Sequence, residues 1–277
     1  MIAKDLYGDL SDKDFKMISD YIYDNYGILL YPKKKLLVKS RLQNRIKVLQ
    51  LKNYSEYCNY LINNKKESIE MIDRITTNKT DFFREVKHFY FLRDEIKKGF
   101  FDKIKSDKLK VWSAACSTGQ EPYSLAMMLF DILKSEHYDF SINATDISKS
   151  VLEKAVLAIY PMALINQIPD NYIKKYLLKS KNNSEAKFRI APEIRSKVEF
   201  SVHNLLDEKI NLKHKFDIIF CRNTLIYFDR ETQLKVINNL LSKLNNKGLL
   251  FLGHSESLIN MDLELESVSP SVYKKIN

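Results

Sequence analysis

The chain has 277 residues, 45% hydrophobic and 29% charged, with 45 Lys+Arg against 35 Asp+Glu and a formal net charge of +10. That much core-forming material excludes a disordered chain, and no apolar run approaches the ~20 residues a membrane-spanning helix needs. The excess of base leaves three readings open: a nucleic-acid surface, an acidic substrate, or a diffuse lysine background.

At the N-terminus, Met1-Ile2-Ala3-Lys4-Asp5 carries acid early and no long apolar stretch, so no secretory signal is expected. Residues 1 to about 85 read as helices joined by short turns. Ser11 is placed as an N-cap with Asp14 three residues on, Leu10 and Phe15 form a hydrophobic staple, and Gly27 suits a left-handed helix end. Pro32 opens a second helix expected to run to about Gln50, and shorter helices follow near Ser55–Ile62 and Glu67–Ile75. A domain break is expected between residues 85 and 105, where Lys97-Lys98-Gly99 stands. From Leu109 onward, short apolar strands alternate with helices: Leu109–Ala115, Ser141–Thr145, Phe216–Cys221 and Leu249–Leu252 as strands; Pro122–Lys134, Lys149–Ile159 and Glu231–Leu244 as helices. That alternation predicts an α/β doubly wound domain with a mainly parallel sheet. Residues 160–203 break it with Tyr160-Pro161, Ile168-Pro169 and Ala191-Pro192, and read as a small antiparallel excursion that includes Lys187–Ile190 and Lys197–His203. Asn246-Lys247-Gly248 is expected to end the last helix, and Ser267–Ile276 reads as one terminal strand.

Three cysteines, Cys58, Cys116 and Cys221, are odd in number and far apart, so they form no disulfide framework and point to a reducing cytoplasm. His88, His137, His203, His214 and His254 lack metal-ligand spacing, and no metal is expected.

Trp112 to Ser124 (WSAACSTGQEPYS) is a strand, a turn of small residues with Gly119, and a helix start. Such a turn at the carboxyl end of a first parallel strand suits close approach of a nucleotide, and an ordinary βα turn is the plain alternative. It carries neither a dinucleotide fingerprint nor a P-loop, which removes support for pyrophosphate and triphosphate ligands. Asp146 ends the second strand, where a carboxylate can accept both ribose hydroxyls; it can equally cap the next helix. Asn223 and Tyr227 follow a later strand at the same sheet edge. The polar run Thr76–Arg84 heads the pair Phe82 and Phe83, which an N-cap over buried aromatics would explain.

Taken together, TTNKTDFFRE (Thr76–Glu85), WSAACSTGQEPYS, ATDIS (Ala144–Ser148), FRIAPEIRSKVEFSVHNLL (Phe188–Leu206), FDIIFCRNTLIYF (Phe216–Phe228) and GHSESL (Gly253–Leu258) closely resemble the CheR-type chemotaxis receptor methyltransferases. The resemblance implies an N-terminal all-helical, receptor-docking domain (residues 1–90). A Rossmann-like class I methyltransferase domain (91–277) would follow, with a small β-subdomain inserted at about 162–203. It implies transfer of a methyl group from S-adenosylmethionine to receptor glutamates, leaving S-adenosylhomocysteine. Asn78, Thr80 and Arg84 would reach the cofactor, Arg84 pairing with its methionyl carboxylate. Gly119 and Glu121 would lie in the first loop, Glu121 near the methionyl ammonium. Asp146 would hold the ribose, Asn204 and Leu205 the adenine, and Asn223 with Thr224 would line the side near the methyl. The family often has two glutamates in the first loop; Gln120 replaces the first here.

Glutamate is already ionised at neutral pH, so in-line attack on a sulfonium methyl needs no general base, and positioning and dehydration dominate. Arg84 and Tyr227 are the candidate catalytic residues, with Tyr227 orienting the carboxylate. The run Lys33–Lys52 contains eight basic and no acidic residues. On a helical wheel Lys34, Arg41, Arg45 and Lys52 share one face beside an apolar stripe of Val38, Leu42, Ile46 and Leu49. The resemblance implies that this helix meets the negatively charged cytoplasmic part of a chemoreceptor, with a monomeric enzyme in the cytoplasm at receptor arrays. A nucleic-acid methyltransferase is the alternative within enzymes. Against it, Arg222-Asn223-Thr224-Leu225 stands where an N/D-P-P-Y/F motif is wanted, and the basic helix lacks interleaved aromatics. A non-catalytic receptor adaptor is the alternative outside them.

Overall fold

The computed structural model describes residues 7–100, 108–133, 138–180, 186–207, 212, 214–259 and 261–276. They belong to two units, Met1–Thr77 with Tyr227–Thr232, and Asn78–Ile226 with Gln233–Asn277. The division thus comes after Thr77 and not near residue 90. Phe82, Phe83, Phe89, Leu92 and Ile96 are buried in the core of the second unit, so the stretch after Thr77 folds with that unit.

In the first unit, α1 (Asp12–Tyr26) begins at Ser11, whose Oγ accepts the Asp14 N–H, and ends at Gly27 with φ 68°. Phe15, Ile18 and Ile22 form its buried stripe. Pro32–Lys34 makes a 3-10 turn leading into α2 (Lys35–Val48), whose Val38, Leu42 and Ile46 are fully buried. Leu49 is half-buried, and Gln50 turns left-handed (φ 56°), so Lys52 lies beyond the helix and not on its face. Next come α3 (Tyr54–Asn63), capped by Asn53, and α4 (Lys65–Ile75), capped by Asn64. The segment Tyr227–Thr232 is tied into this unit: the Leu29 N–H donates to the Tyr227 carbonyl (2.9 Å), and the Tyr23 hydroxyl donates to Asp229 (2.5 Å).

The second unit starts with turns over residues 82–86, not with a helix cap; Phe83 and Glu85 have φ of 50° and 57°, and α5 (Lys87–Lys97) follows. Its large sheet is built from β1 (Lys108–Ala114), β2 (Asp139–Asp146), β6 (Val198–Val202), β7 (Phe216–Cys221), β8 (Leu244–Leu252), β9 (Leu265–Ser269) and β10 (Val272–Lys275). The order is β6-β2-β1-β7-β8-β10-β9, parallel from β6 to β8 and antiparallel thereafter. The helices are α6 (Gln120–Leu133), α7 (Lys149–Leu157), α8 (Asp170–Tyr176), α9 (Pro192–Arg195) and α10 (Arg230–Lys243), the last opening within the segment grouped with the first unit. Helix α6 is buried along most of its length, including Tyr123, Leu125, Ala126, Met127 and Leu129, as expected of a helix covered on several sides.

A separate small sheet pairs β3 (Ile159–Pro161), β5 (Lys187–Ile190) and β4 (Leu177–Lys179), antiparallel, in the order β3-β5-β4. The insertion therefore spans about 159–190. Lys197–His203 was expected within it, but β6 runs parallel to β2 at the edge of the large sheet; polar-apolar alternation fits either sheet, and only pairing decides. The C-terminal stretch is a hairpin of β9 and β10, because Pro270 and Ser271 (φ 57°) break the expected single strand. Asn246-Lys247-Gly248 falls inside β8 at a register shift: Leu244 pairs with Phe216 but Leu249 already pairs with Ile218.

Candidate functional site

Strand order leaves β1 toward β2 and β6 on one side and toward β7 and β8 on the other, so the crevice beyond the carboxyl ends of β1 and β7 is the topological switch point where open α/β sheets bind ligands. The turn after β1 is conformationally costly. Ala115, Ser117 and Gly119 have φ of 59°, 51° and 92°. A Cβ at Gly119 would lie 2.9 Å from Ala155 Cβ and 3.0 Å from Tyr160 Oη, so that glycine admits helix α7 and Tyr160; this close approach is to protein. Cys116 is buried, and desolvation pushes its thiol well above the ordinary range.

Asp146, 6% exposed, accepts the Ser117 N–H (2.8 Å) with one carboxylate oxygen and the Ser148 N–H (2.9 Å) with the other. The cap of α7 is Ser148, whose Oγ accepts the Val151 N–H, so Asp146 is spared that task. It binds the cofactor-type loop to β2 instead, and a carboxylate has about four acceptor positions, enough for a diol besides two amides. The Ser117 hydroxyl donates to the Asn78 carbonyl (2.9 Å), which brings Asn78 to the same loop. Asn204, just past β6, accepts the Leu206 N–H, and Leu205 is buried beside it. Thr80 is half-buried, and Arg84 donates to the Lys79 carbonyl (3.1 Å).

The wall between β1 and β7 is built around Arg222, a residue to which the sequence pattern gives no site role. Its side chain is 2% exposed and donates to Glu121 (3.1 Å), to Glu85 (3.0 Å) and to the Arg84 carbonyl. Glu121 also accepts the Ser113 hydroxyl (2.7 Å). Burial raises the Glu121 carboxyl, with Arg222 the chief opposing influence. Burial also pushes Glu85 up, yet the charge of Arg222 with hydrogen bonds from Asn223, Arg222 and the His254 N–H leaves it below its usual range. His88, buried next to them, is held down to about 4 by desolvation first and Arg222 second, and so is neutral at pH 7. Glu85, His88 and His254 offer ligand atoms within 4.8 Å of one another, a grouping that sequence spacing hid. The Glu85 carboxylate is engaged by Arg222 and Asn223, and the guanidinium charge opposes a cation, so this cluster reads as part of the hydrogen-bonded wall. His137 lies outside the described residues.

Glu256 lies in the GHSESL segment and carries no site role in the sequence pattern. Buried at 5% exposure, it accepts four backbone N–H groups: Asn223 (2.9 Å), Thr224 (2.7 Å), Leu225 (2.7 Å) and Gly253 (2.6 Å). This fixes the turn that presents Asn223 (φ 57°) and Thr224 after β7. The only sequence hint was an acid between serines just past an apolar strand. Tyr227 closes the 3-10 turn Leu225–Tyr227, half-buried, and groups with the first unit.

The expected cationic face does not survive as drawn. Arg41 donates to the carbonyls of Arg74 (3.2 Å), Ile75 (2.6 Å) and Thr76 (2.6 Å), where it caps the C-terminal end of α4. Arg45 grips Glu67, 1% exposed, through Nε and Nη2 (2.8 and 2.6 Å), and the Tyr57 hydroxyl donates to the same carboxylate. Lys35 and Lys39 pair with Asp12 and Asp9. Lys33, Lys34, Lys47 and Lys52 are exposed.

The family described as "CheR methyltransferase, SAM binding domain" matches residues 78–273, and "CheR methyltransferase, all-alpha domain" matches residues 13–76. Among curated proteins, the chain is 42% identical over 262 residues to the "Chemotaxis protein methyltransferase" of Borreliella burgdorferi, covering 92% of this chain and 91% of that one. It is 36% identical over 266 residues to the "Chemotaxis protein methyltransferase" of Escherichia coli K12 (95% and 91% covered). It is also 36% identical over 261 residues to "Chemotaxis protein methyltransferase 2" of Pseudomonas aeruginosa (94% and 92% covered).

Proposed function

The chain belongs to the CheR methyltransferase family, and from that premise we propose that it methylates glutamate side chains on the cytoplasmic part of chemotaxis receptors, giving methyl esters. The observation that carries the reading is the match of a SAM-binding family over residues 78–273, on a unit in which Glu121 opens the helix after β1, Asp146 ends β2 and Asn223 follows β7. The donor set fits S-adenosylmethionine: carboxylates for a ribose diol and an ammonium, and a guanidinium for a carboxylate.

When bound, the cofactor supplies an electrophilic sulfonium methyl. Asp146 holds the ribose, Glu121 the methionyl ammonium and Arg84 the methionyl carboxylate; Asn204 and Leu205 bracket the adenine. Asn78, Thr80, Asn223 and Thr224 complete the lining. The substrate carboxylate arrives ionised, so the protein's work is to orient it and exclude water. Tyr227 orients it by donating its hydroxyl. On the helical unit, Lys34 and Lys52, the exposed members of the expected cationic face, meet receptor carboxylates, with an attraction that fades as salt rises.

The test is transfer of radiolabelled methyl to a purified receptor cytoplasmic domain, with RNA as competitor. Label on the receptor, released by mild base, is expected. Label on RNA would replace this function with a nucleic-acid methyltransferase, and failure to bind the cofactor would leave an adaptor. Tyr227→Phe is expected to lower receptor turnover about tenfold, the loss of one oriented hydrogen bond, with cofactor affinity unchanged by calorimetry. Full turnover in that variant would remove Tyr227 from the mechanism.

A further inference from the structure

Arg222 lies between three segments far apart in the chain: the β1–α6 turn through Glu121, the junction before α5 through Glu85 and the Arg84 carbonyl, and its own turn, which carries Asn223. We propose that Arg222 is a positioning residue for methyl transfer, which without touching the cofactor fixes the Glu121 carboxylate and the Arg84–Glu85 backbone against the Asn223 turn. The proposal rests on the reading above that Glu121 and Arg84 hold the methionyl end.

Only a planar fork can serve this geometry. Nη1 goes to Glu121, while Nη2 goes to Glu85 and the Arg84 carbonyl; a lysine ammonium on one stem cannot reproduce that spread. Phe89 and Phe220 flank the guanidinium with ring centroids 5.9 Å away, and its side chain is 2% exposed, so it cannot swing out to water. Glu85 and Glu121, each 14% exposed, share this one cation, and without it they repel.

The groups facing Glu121 set the sign of the effect. They are Arg222, the Ser113 hydroxyl and Glu85, with the Cys116 and Cys221 thiols nearby, both kept protonated by burial; His88, held neutral, and His254 lie beyond Glu85. Losing Arg222 leaves burial and Glu85 acting together on Glu121. Its carboxyl then takes up a proton at higher pH, and a protonated Glu121 no longer holds an ammonium.

The experiment is calorimetric titration of S-adenosylmethionine from about pH 5.5 to 7.0, where the cofactor's own amine stays largely protonated. It compares wild type, Arg222→Met, Arg222→Lys, Glu121→Gln and the Arg222→Met/Glu121→Gln pair, with a melting curve for each. Arg222→Met is expected to bind about tenfold more weakly at pH 6.5, with the acid-side loss of affinity displaced upward by on the order of one pH unit. Arg222→Lys keeps the wild-type pH profile but stays several-fold weaker, and Glu121→Gln abolishes the displacement. A folded Arg222→Met protein with wild-type affinity overturns the proposal, as does uniform weakening with an unchanged profile, which is what a purely structural role would give. If Arg222→Met does not fold, wild-type affinity in Arg222→Lys overturns it. Wild-type affinity in Glu121→Gln would instead discard the assignment of Glu121 to the ammonium, and this proposal with it.

Discussion

Asp146→Ala is expected to abolish measurable binding of S-adenosylmethionine, a loss on the order of a hundredfold or more. Two charge-assisted hydrogen bonds to a ribose diol are worth roughly 1.5–3 kcal/mol each, and ~1.4 kcal/mol is tenfold in affinity. The alanine also releases the N–H groups of Ser117 and Ser148, so the left-handed turn at Ala115–Gly119 loses the acceptor that keeps it next to β2. Calorimetry with Asp146→Ala and Asp146→Asn separates the two contributions. The amide keeps one acceptor oxygen for the loop and loses the charge, so it should fall between wild type and alanine. Equal affinity in all three proteins would refute the assignment of Asp146 to the ribose.

The second large effect is on stability. Arg45→Ala is expected to destabilise the helical unit by about 3–5 kcal/mol, the usual cost of stranding one partner of a buried ion pair. Among the described residues, Glu67 would be left at 1% exposure with the Tyr57 hydroxyl alone to serve it. Against a typical domain stability of ~5–15 kcal/mol, such a loss is severe. Denaturant unfolding followed by far-UV circular dichroism reads it, and Arg45→Met/Glu67→Met should recover much of the loss because neither charge then remains buried. A change below about 1 kcal/mol for Arg45→Ala would mean that the pair is solvated in solution. The same reasoning restricts how docking can be probed: charge reversal at Arg41 or Arg45 damages the fold, whereas reversal at Lys34 and Lys52, both exposed, addresses the surface alone.

Local chemistry made much of this legible from sequence. Ser11 and Gly27 bound α1 because caps act within a few residues, and the turn after β1 and the acid ending β2 declare themselves by alternation of strand and helix. What stayed hidden depends on partners remote in sequence. Arg222 meets Glu121 101 positions away and Glu85 137 away, Glu256 reaches back more than 30 residues, and no pattern in either neighbourhood announces the other. The helical wheel correctly grouped Arg41 and Arg45 but could not say that α4 and Glu67 consume them. Likewise β6 has the texture of an insertion strand, and pairing with β2 alone places it in the large sheet.

Four amides that depend on a single carboxylate cannot open one at a time. While Glu256 stays in place, Asn223, Thr224, Leu225 and Gly253 are all held; once it leaves, all four lose their acceptor together. The turn after β7 therefore behaves as one cooperative unit with an all-or-none opening, and its exchange of amide hydrogens with solvent is concerted rather than frayed from either end.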